Sequence, residues 1–411
     1  MHNATLPFGQ RLLRSLRHRD YRLYFTAQSV SLIGTWMQNV AQAWLVYRLT
    51  DSSLMLGLTS FLSLLPIMLG GLFGGVLADR ASRYNVAINT HRIAMLQAFV
   101  LGGLTLAGWV QVWHVMALAV VLGATHAFGM PARHAFVAEI VPKEDLPNAI
   151  ALHSTAFNAA RFVGPMLAGL VVLVANEGLV FILNGLSYVF FLFVMRRIAP
   201  RRTVVEATSR SFNAWMLQGL RYAWSSVNIR AALIMVGLAG LVGAPHEVLM
   251  PVMAAKVFHG GAGTLGLLLG AAGAGSLLGA LTLAHRTDMN GLDRTIGQAG
   301  LMAGVSMAAF STSHHLSLSM AVLVVVGFSL TTLVASSNTL IQLLVPDELR
   351  GRIITLFSVI FMGASPIGNL LAGALTEVIP VTSTVLFYGG ACAMTSALYL
   401  YLAPPVVERE E

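Results

Sequence analysis

Four residues able to move a proton or hold an anion stand inside otherwise apolar runs: His126, Arg161, His246 and Glu247. Only 10% of the chain is charged, so each of them needs a reason. A lipid-facing arginine at mid-membrane depth costs at least about 3 kcal/mol on insertion scales, so it must face a cavity or a partner. Arg161 falls at that depth, about 14 residues past the start of its apolar run, or ~21 Å at 1.5 Å per residue. It could contact an anionic or polar substrate, set the proton affinity of a carboxylate, or pair within a helix bundle. Glu247, in "GAPHEVLMP", is the clearest acid well inside an apolar run. Desolvation favours the neutral form of a carboxylate, which makes Glu247 a candidate proton carrier. His246 beside it could titrate as well, and Pro245 and Pro251 bracket the pair and are expected to distort the helix. Should the run end early, Glu247 would instead lie in an outer vestibule.

Amides and small residues surround these charges. Ser154, Asn158, Arg161 and Pro165 are spaced 4, 3 and 4, which puts them on one helix face. Gln38 and Gln42 lie one turn apart in the first apolar run. Asn158, Gln38, Gln42 and His126 could each bind substrate or hydrogen-bond between helices. Ala160, Gly164 and Ala168 form a strip of small residues that lets helix backbones approach closely.

The elements that carry these residues follow from composition. The 411 residues are 56% hydrophobic and carry a net charge of +8. A soluble chain would be about 25% charged, so most of this surface faces lipid. The basic residues form short clusters between apolar runs, a pattern of membrane topology and not of nucleic-acid binding. Twelve apolar segments are read, near 23–48, 54–78, 85–109, 112–138, 147–174, 178–196, 228–255, 263–285, 294–312, 316–343, 352–378 and 381–403. Lipid offers the backbone no partners, so each must be a helix. Arginines and lysines crowd the N-terminus, the tail and every even-to-odd connection, whereas the opposite connections hold only Arg48 and Lys256. Both termini are therefore expected in the cytoplasm.

A polar stretch near 197–227 divides the chain into a cytoplasmic N-terminal segment (1–22), a six-helix bundle (23–196), that linker, a second bundle (228–403) and a tail (404–411). The halves repeat. Residues 141–170 align without gaps on 345–374 with twelve of thirty positions identical, so the fifth segment recurs as the eleventh. "LADR" at 77–80 echoes "LAHR" at 283–286, so the second recurs as the eighth. Parallel six-helix repeats suit a transporter that rocks one half against the other. The single cysteine, Cys392, excludes an intrachain disulfide. No phosphate-binding Gly-x4-Gly-Lys-Ser/Thr loop is present, which argues against ATP hydrolysis, and the histidines have no metal-ligand spacing.

"GGVLADRASRYN", residues 74–85, ends an apolar run in Asp79, Arg80 and Arg83. With "IGTWMQNVAQAWLVYRLTDSS", "FGMPARHAFVAEIVPKEDLPNAIAL" and "NAARFVGPMLAGL", it resembles the major facilitator superfamily, and more specifically its enterobactin-exporter-like efflux branch. Ser82 stands where the superfamily signature has a second glycine, and Gly129 where the branch commonly has an aspartate. The resemblance implies an all-α integral membrane protein of twelve transmembrane helices in two pseudo-symmetric six-helix bundles. It implies a non-enzymatic, proton-coupled exporter of a siderophore or drug in the bacterial inner membrane, with an importer or lipid flippase of the same fold, or a non-transporting membrane sensor or scaffold, as the alternatives. Its partners would be the small-molecule substrate, protons and the bilayer, with no cofactor, no metal and no nucleic acid, and it would act as a monomer. Asp79 would latch onto the helix N-terminus near Gly351, where a carboxylate is stabilised, with Arg80 and Arg83 adding charged contacts. Gly164, Pro165 and Gly169 resemble the antiporter signature that seals a helix interface.

Overall fold

The computed structural model describes residues 13–78, 82–198, 212–243, 245–286 and 291–402, and of 71–78 and 212–216 it describes the backbone alone. Among these, all regular structure is helical. After a 3-10 turn at Arg14–Arg17 come α1 (Arg19–Thr50), α2 (Ser53–Ala78), α3 (Arg83–Leu106), α4 (Val112–Ile140), α5 (Leu146–Val174) and α6 (Glu177–Met195). An amphipathic connecting helix, α7 (Phe212–Ser225), leads into α8 (Val227–Leu238) and α9 (Pro245–Val252). Then follow α10 (Ala262–Ala284), α11 (Leu292–Thr312), α12 (Leu316–Leu344), α13 (Asp347–Thr376) and α14 (Val381–Leu402).

Among the described residues, nine helical stretches are long and apolar enough to cross a membrane. The remaining long helices, α1, α3 and α11, carry charged ends and internal amides such as Gln38, Gln97 and Gln298. Their polar residues turn partly inward: Gln28, Gln38, His91, Gln97 and Asp293 are all buried. A chain in lipid thus places polarity between helices, where partners exist.

Stretch 227–257 is not a uniform helix. Wider π turns at Ala239–Gly243 and Met253–Val257 flank α9. Pro245 and Pro251 explain the breaks, since proline has no N–H to donate and its ring crowds the preceding turn. The distortion expected from the two prolines is present, and it aims α9 into the space between the halves.

Two antiparallel seams join the halves: α5 packs on α10, and α13 on α2. These are the elements that repeat in sequence, so each seam pairs one copy of a repeated helix with the other copy's partner. Gly169 and its repeat equivalent Gly373 sit in them. A Cβ on Gly169 would stand 2.9 Å from the carbonyl of Ala262, and one on Gly373 2.5 Å from that of Ser53. Only glycine lets these backbones approach so closely.

The seams close at one end only. Contacts run from Gly169–Ala262 to Arg161–Gly273 in one, and from Gly373–Ser53 through Asn369–Gly57 to Gly363–Met68 in the other. Toward the face where α1 begins and α14 ends, Ile150, Ser154 and Thr155 of α5 and Leu278 and Leu281 of α10 are exposed. A Cβ on Gly351 would meet nothing within 4 Å. Between α5 and α10 the space between the halves therefore widens toward the termini face and is closed at the far face.

Candidate functional site

At the closed apex of that space, Arg161 of α5 and Glu247 of α9 form an ion pair across the two halves through Nη2 and Oε1. The side chains keep 27% and 32% of their surface exposed, so the pair remains reachable by water. Of the roles open to Arg161, the geometry is that of a pair with a carboxylate, and Glu247 is the partner. The arginine head also lies 5.7 Å from the ring centroid of Trp36 on α1, within cation–π range. Trp36 in turn packs edge-on against Phe157, with ring centroids 5.7 Å apart. A charge pair set against an aromatic wall suits an amphipathic ligand.

His246 is buried beside the pair. Its Nδ1 contacts the carbonyl of Gly243, at the end of the first π turn, and its Nε2 has no partner. Gln42 likewise has a buried, unpartnered Oε1. Asn158 spends its amide on the carbonyl of Ser154 one turn back, at 2.9 Å. His126 lies on α4, in the electrostatic neighbourhood of Arg133 and outside the Arg161–Glu247 pair.

Gln38 does not face this space. It is fully buried, accepts from Asn184 Nδ2 at 2.7 Å, and donates to Gln97 Oε1 at 2.9 Å. Of the two roles expected of it, substrate contact and interhelical hydrogen bonding, its contacts are of the second kind, and the substrate contact is corrected. It bridges α1, α3 and α6 inside the N-terminal half, because α1 presents one polar face to the cavity and another to its own bundle.

The small residues divide their work. Gly164 packs on α1, where a Cβ would stand 2.5 Å from that of Trp36, while Ala160 and Ala168 are buried. Pro165 and Gly169 face α10 instead, with the carbonyl of Pro165 against Gly266. Asp79 and Arg80 lie outside the described residues. Arg83 is directed to Glu139 of α4 at 3.2 Å, inside the N-terminal half, and not to α13.

The far face carries a contact that sequence reasoning missed. Glu377, the residue after α13, accepts from Ser52 Oγ (2.7 Å), Ser53 Oγ (3.0 Å) and the Leu54 amide (2.9 Å). It thereby caps the N-terminus of α2 from the other half. The Leu54 amide, then the serine hydroxyls, hold its carboxyl below the usual carboxylate range against some burial. Next to it Asn369 donates to Ser60 at 2.8 Å, and Lys256 approaches Asp51 at 3.8 Å. The signal was available: Asp79 directly follows α2 as Glu377 directly follows α13.

Residues 12–411 match the family described as transmembrane secretion effectors. The multidrug efflux pump Tap of Mycolicibacterium fortuitum is 26% identical, over 86% of this chain and 88% of its own. The staphyloferrin A transporter of Staphylococcus aureus is 20% identical, over 93% and 96%. A POT family transporter crystallised with a thioalcohol-conjugated peptide has the same fold, with a TM-score of 0.74 at 12% identity over 94% of this chain and 96% of its own. The chain belongs to the transmembrane secretion effector family, an efflux-type branch of the major facilitator transporters.

Proposed function

We propose that the chain is a proton-coupled secondary exporter of an amphipathic small molecule, a siderophore or drug, working by alternating access in the bacterial inner membrane. The observation that carries this reading is the water-reachable Arg161–Glu247 pair tying the two halves together at the cavity apex. The names of the relatives, a multidrug pump and a siderophore transporter, favour the same substrate class. Counting α1, α3 and α11 with the nine apolar stretches gives twelve spans, in bundles 23–196 and 228–403, with 1–22, 197–227 and 404–411 in the cytoplasm. With the positive charge inside, the open face is the cytoplasmic one.

In this reading the substrate enters from the cytoplasm and lies against Trp36 and Phe157. Its polar group competes with Glu247 for Arg161, which loosens the tie between the halves. The far face opens, substrate leaves, and Glu247 takes up an external proton. On return Arg161 re-pairs with Glu247, and the proton passes to the cytoplasm. His246, Gln42, Asn158 and His126 supply further polar contacts. Gly164, Pro165 and Gly169 hold the packing about which α5 moves, and Asp79 and Arg80 latch the cytoplasmic side when it closes. A single chain suffices.

The test is substrate-triggered proton movement in inside-out vesicles, wild type against Glu247→Gln, with catecholate siderophores, macrolides and lipophilic cations. The expected result is proton release from the lumen with one compound class, lost in the variant. A full signal in Glu247→Gln removes that residue from coupling. No signal from any compound, with expression verified, removes proton-coupled export.

A further inference from the structure

Several arginines of the N-terminal half pair with carboxylates of other elements. Arg48 meets Glu177, Arg83 meets Glu139 and Arg161 meets Glu247. Arg133 of α4, half-buried, meets no carboxylate among the described residues. Its guanidinium folds back over Gly129: a Cβ there would stand 2.7 Å from Nη1 and 2.9 Å from Thr90 Oγ1 of α3. The titratable groups in its electrostatic reach are Tyr24, Tyr188, His91, His126, His134 and His153, all phenols and imidazoles. Tyr24 and Gln28, on one face of α1, are 1% and 4% exposed, and Tyr24 Oη and Gln28 Oε1 have no hydrogen-bond partner.

An arginine held within a membrane bundle is costly and marks a functional site. A fixed guanidinium beside unused polar groups is suited to a charge-assisted contact with an oxyanion. Gly129 lets the guanidinium and Thr90 Oγ1 occupy the place that a side chain there would take. We propose that Arg133, with Tyr24, forms an anion site that takes a carboxylate-type group. The anion comes from the transported molecule or, as a free halide, from the cytoplasm. In the first case the site makes the exporter selective for anionic amphiphiles, which rests on the export reading above.

Binding to the purified full chain tests this independently of transport. The probes are salicylate and its neutral near-isostere salicylamide, read by the shift in melting temperature and by titration. Salicylate is expected to stabilise the wild type and salicylamide not to. Arg133→Gln should weaken salicylate by about tenfold or more, the loss of one charge-assisted hydrogen bond, and Arg133→Lys should retain part of the affinity. Gly129→Asp should place a carboxylate on the guanidinium, abolish binding, and raise the melting temperature of the free protein, so a folding defect cannot imitate it. Chloride that stabilises the wild type and competes with salicylate, both effects lost in Arg133→Gln, assigns the site to a free anion. Equal binding of acid and amide, or undiminished salicylate affinity in Arg133→Gln, overturns the proposal. Equal binding of acid and amide by a wild type whose efflux is intact condemns the site alone, whereas selective binding without efflux of any compound condemns the export reading alone.

Discussion

Arg161 and Glu247, on helices of different halves and 86 residues apart in sequence, form an ion pair at the apex of the inter-half space. The pair does two things at once. It satisfies two charges that lipid would penalise, and it ties a helix of one half to a helix of the other.

Single neutralisation should therefore be worse for stability than double. Arg161→Gln or Glu247→Gln leaves one charge without its partner, at a cost of about 1–3 kcal/mol for a partly exposed pair. Arg161→Gln/Glu247→Gln should recover most of that loss. Transport should be absent from all three. Melting temperatures in detergent alongside vesicle transport check this, and a double variant that transports would show that the pair is only structural.

The Glu377 clasp predicts a conformational effect without a binding effect. Glu377→Ala removes three acceptor contacts from the start of α2, so the far face should open more often. A cysteine in place of Leu370, whose Cα would lie 3.1 Å from a Cβ on Gly57, reports on that seam. The native Cys392 is buried and adds little background. Labelling by an impermeant maleimide applied at the far face should rise by about tenfold, the effect of roughly 1.4 kcal/mol. An unchanged rate would mean that the glycine packing alone holds the seam.

Parts of this arrangement were legible in sequence, and others were not, for physical reasons. The repeat of 141–170 in 345–374 marked the helices that form the seams, because close backbone approach demands small residues at fixed places. Arg161 and Glu247 each stood out as a charge in an apolar run. Their pairing depends on how two halves dock, which periodicity does not encode. The two roles open to Gln38 were not separable in sequence because a helix surrounded by other helices has more than one polar face, and one-dimensional spacing does not say which of them meets water. Glu377 was passed over because an acid at a helix end reads as an interfacial residue until the opposing N-terminus is seen.

Gln38 now makes a stability prediction. Gln38→Ala strands Gln97 Oε1 and Asn184 Nδ2, both buried. The cost should be about 1–3 kcal/mol, seen as a lower melting temperature. Substrate preference among the compounds that the wild type transports should not change. A shift in preference at unchanged stability would return Gln38 to the cavity.

The last prediction concerns acid. Asp145, at the turn before α5, is held by Arg14, by His18 Nε2 at 2.6 Å, and through its carbonyl by Ser15 Oγ at 2.9 Å. Burial pushes its carboxyl upward, but the His18 and Arg14 contacts together outweigh that and hold it below its ordinary value of 3.8. A depressed folded pKa stabilises the protein above the unfolded value, and that stabilisation is lost as pH falls through the folded one. The N-terminal turn should therefore detach below about pH 4, where unfolded carboxyls protonate. Asp145→Asn should lose about 1–3 kcal/mol at neutral pH, as hydrogen bonds to a charged group do, and show a flatter acid limb. Melting curves between pH 3 and pH 7, with limited proteolysis of the first residues, measure both. Parallel acid limbs in variant and wild type would mean that Asp145 does not anchor the turn and that the amide of Asn148, which accepts from the Ser15 amide and hydroxyl at 2.9 and 2.8 Å, holds it instead.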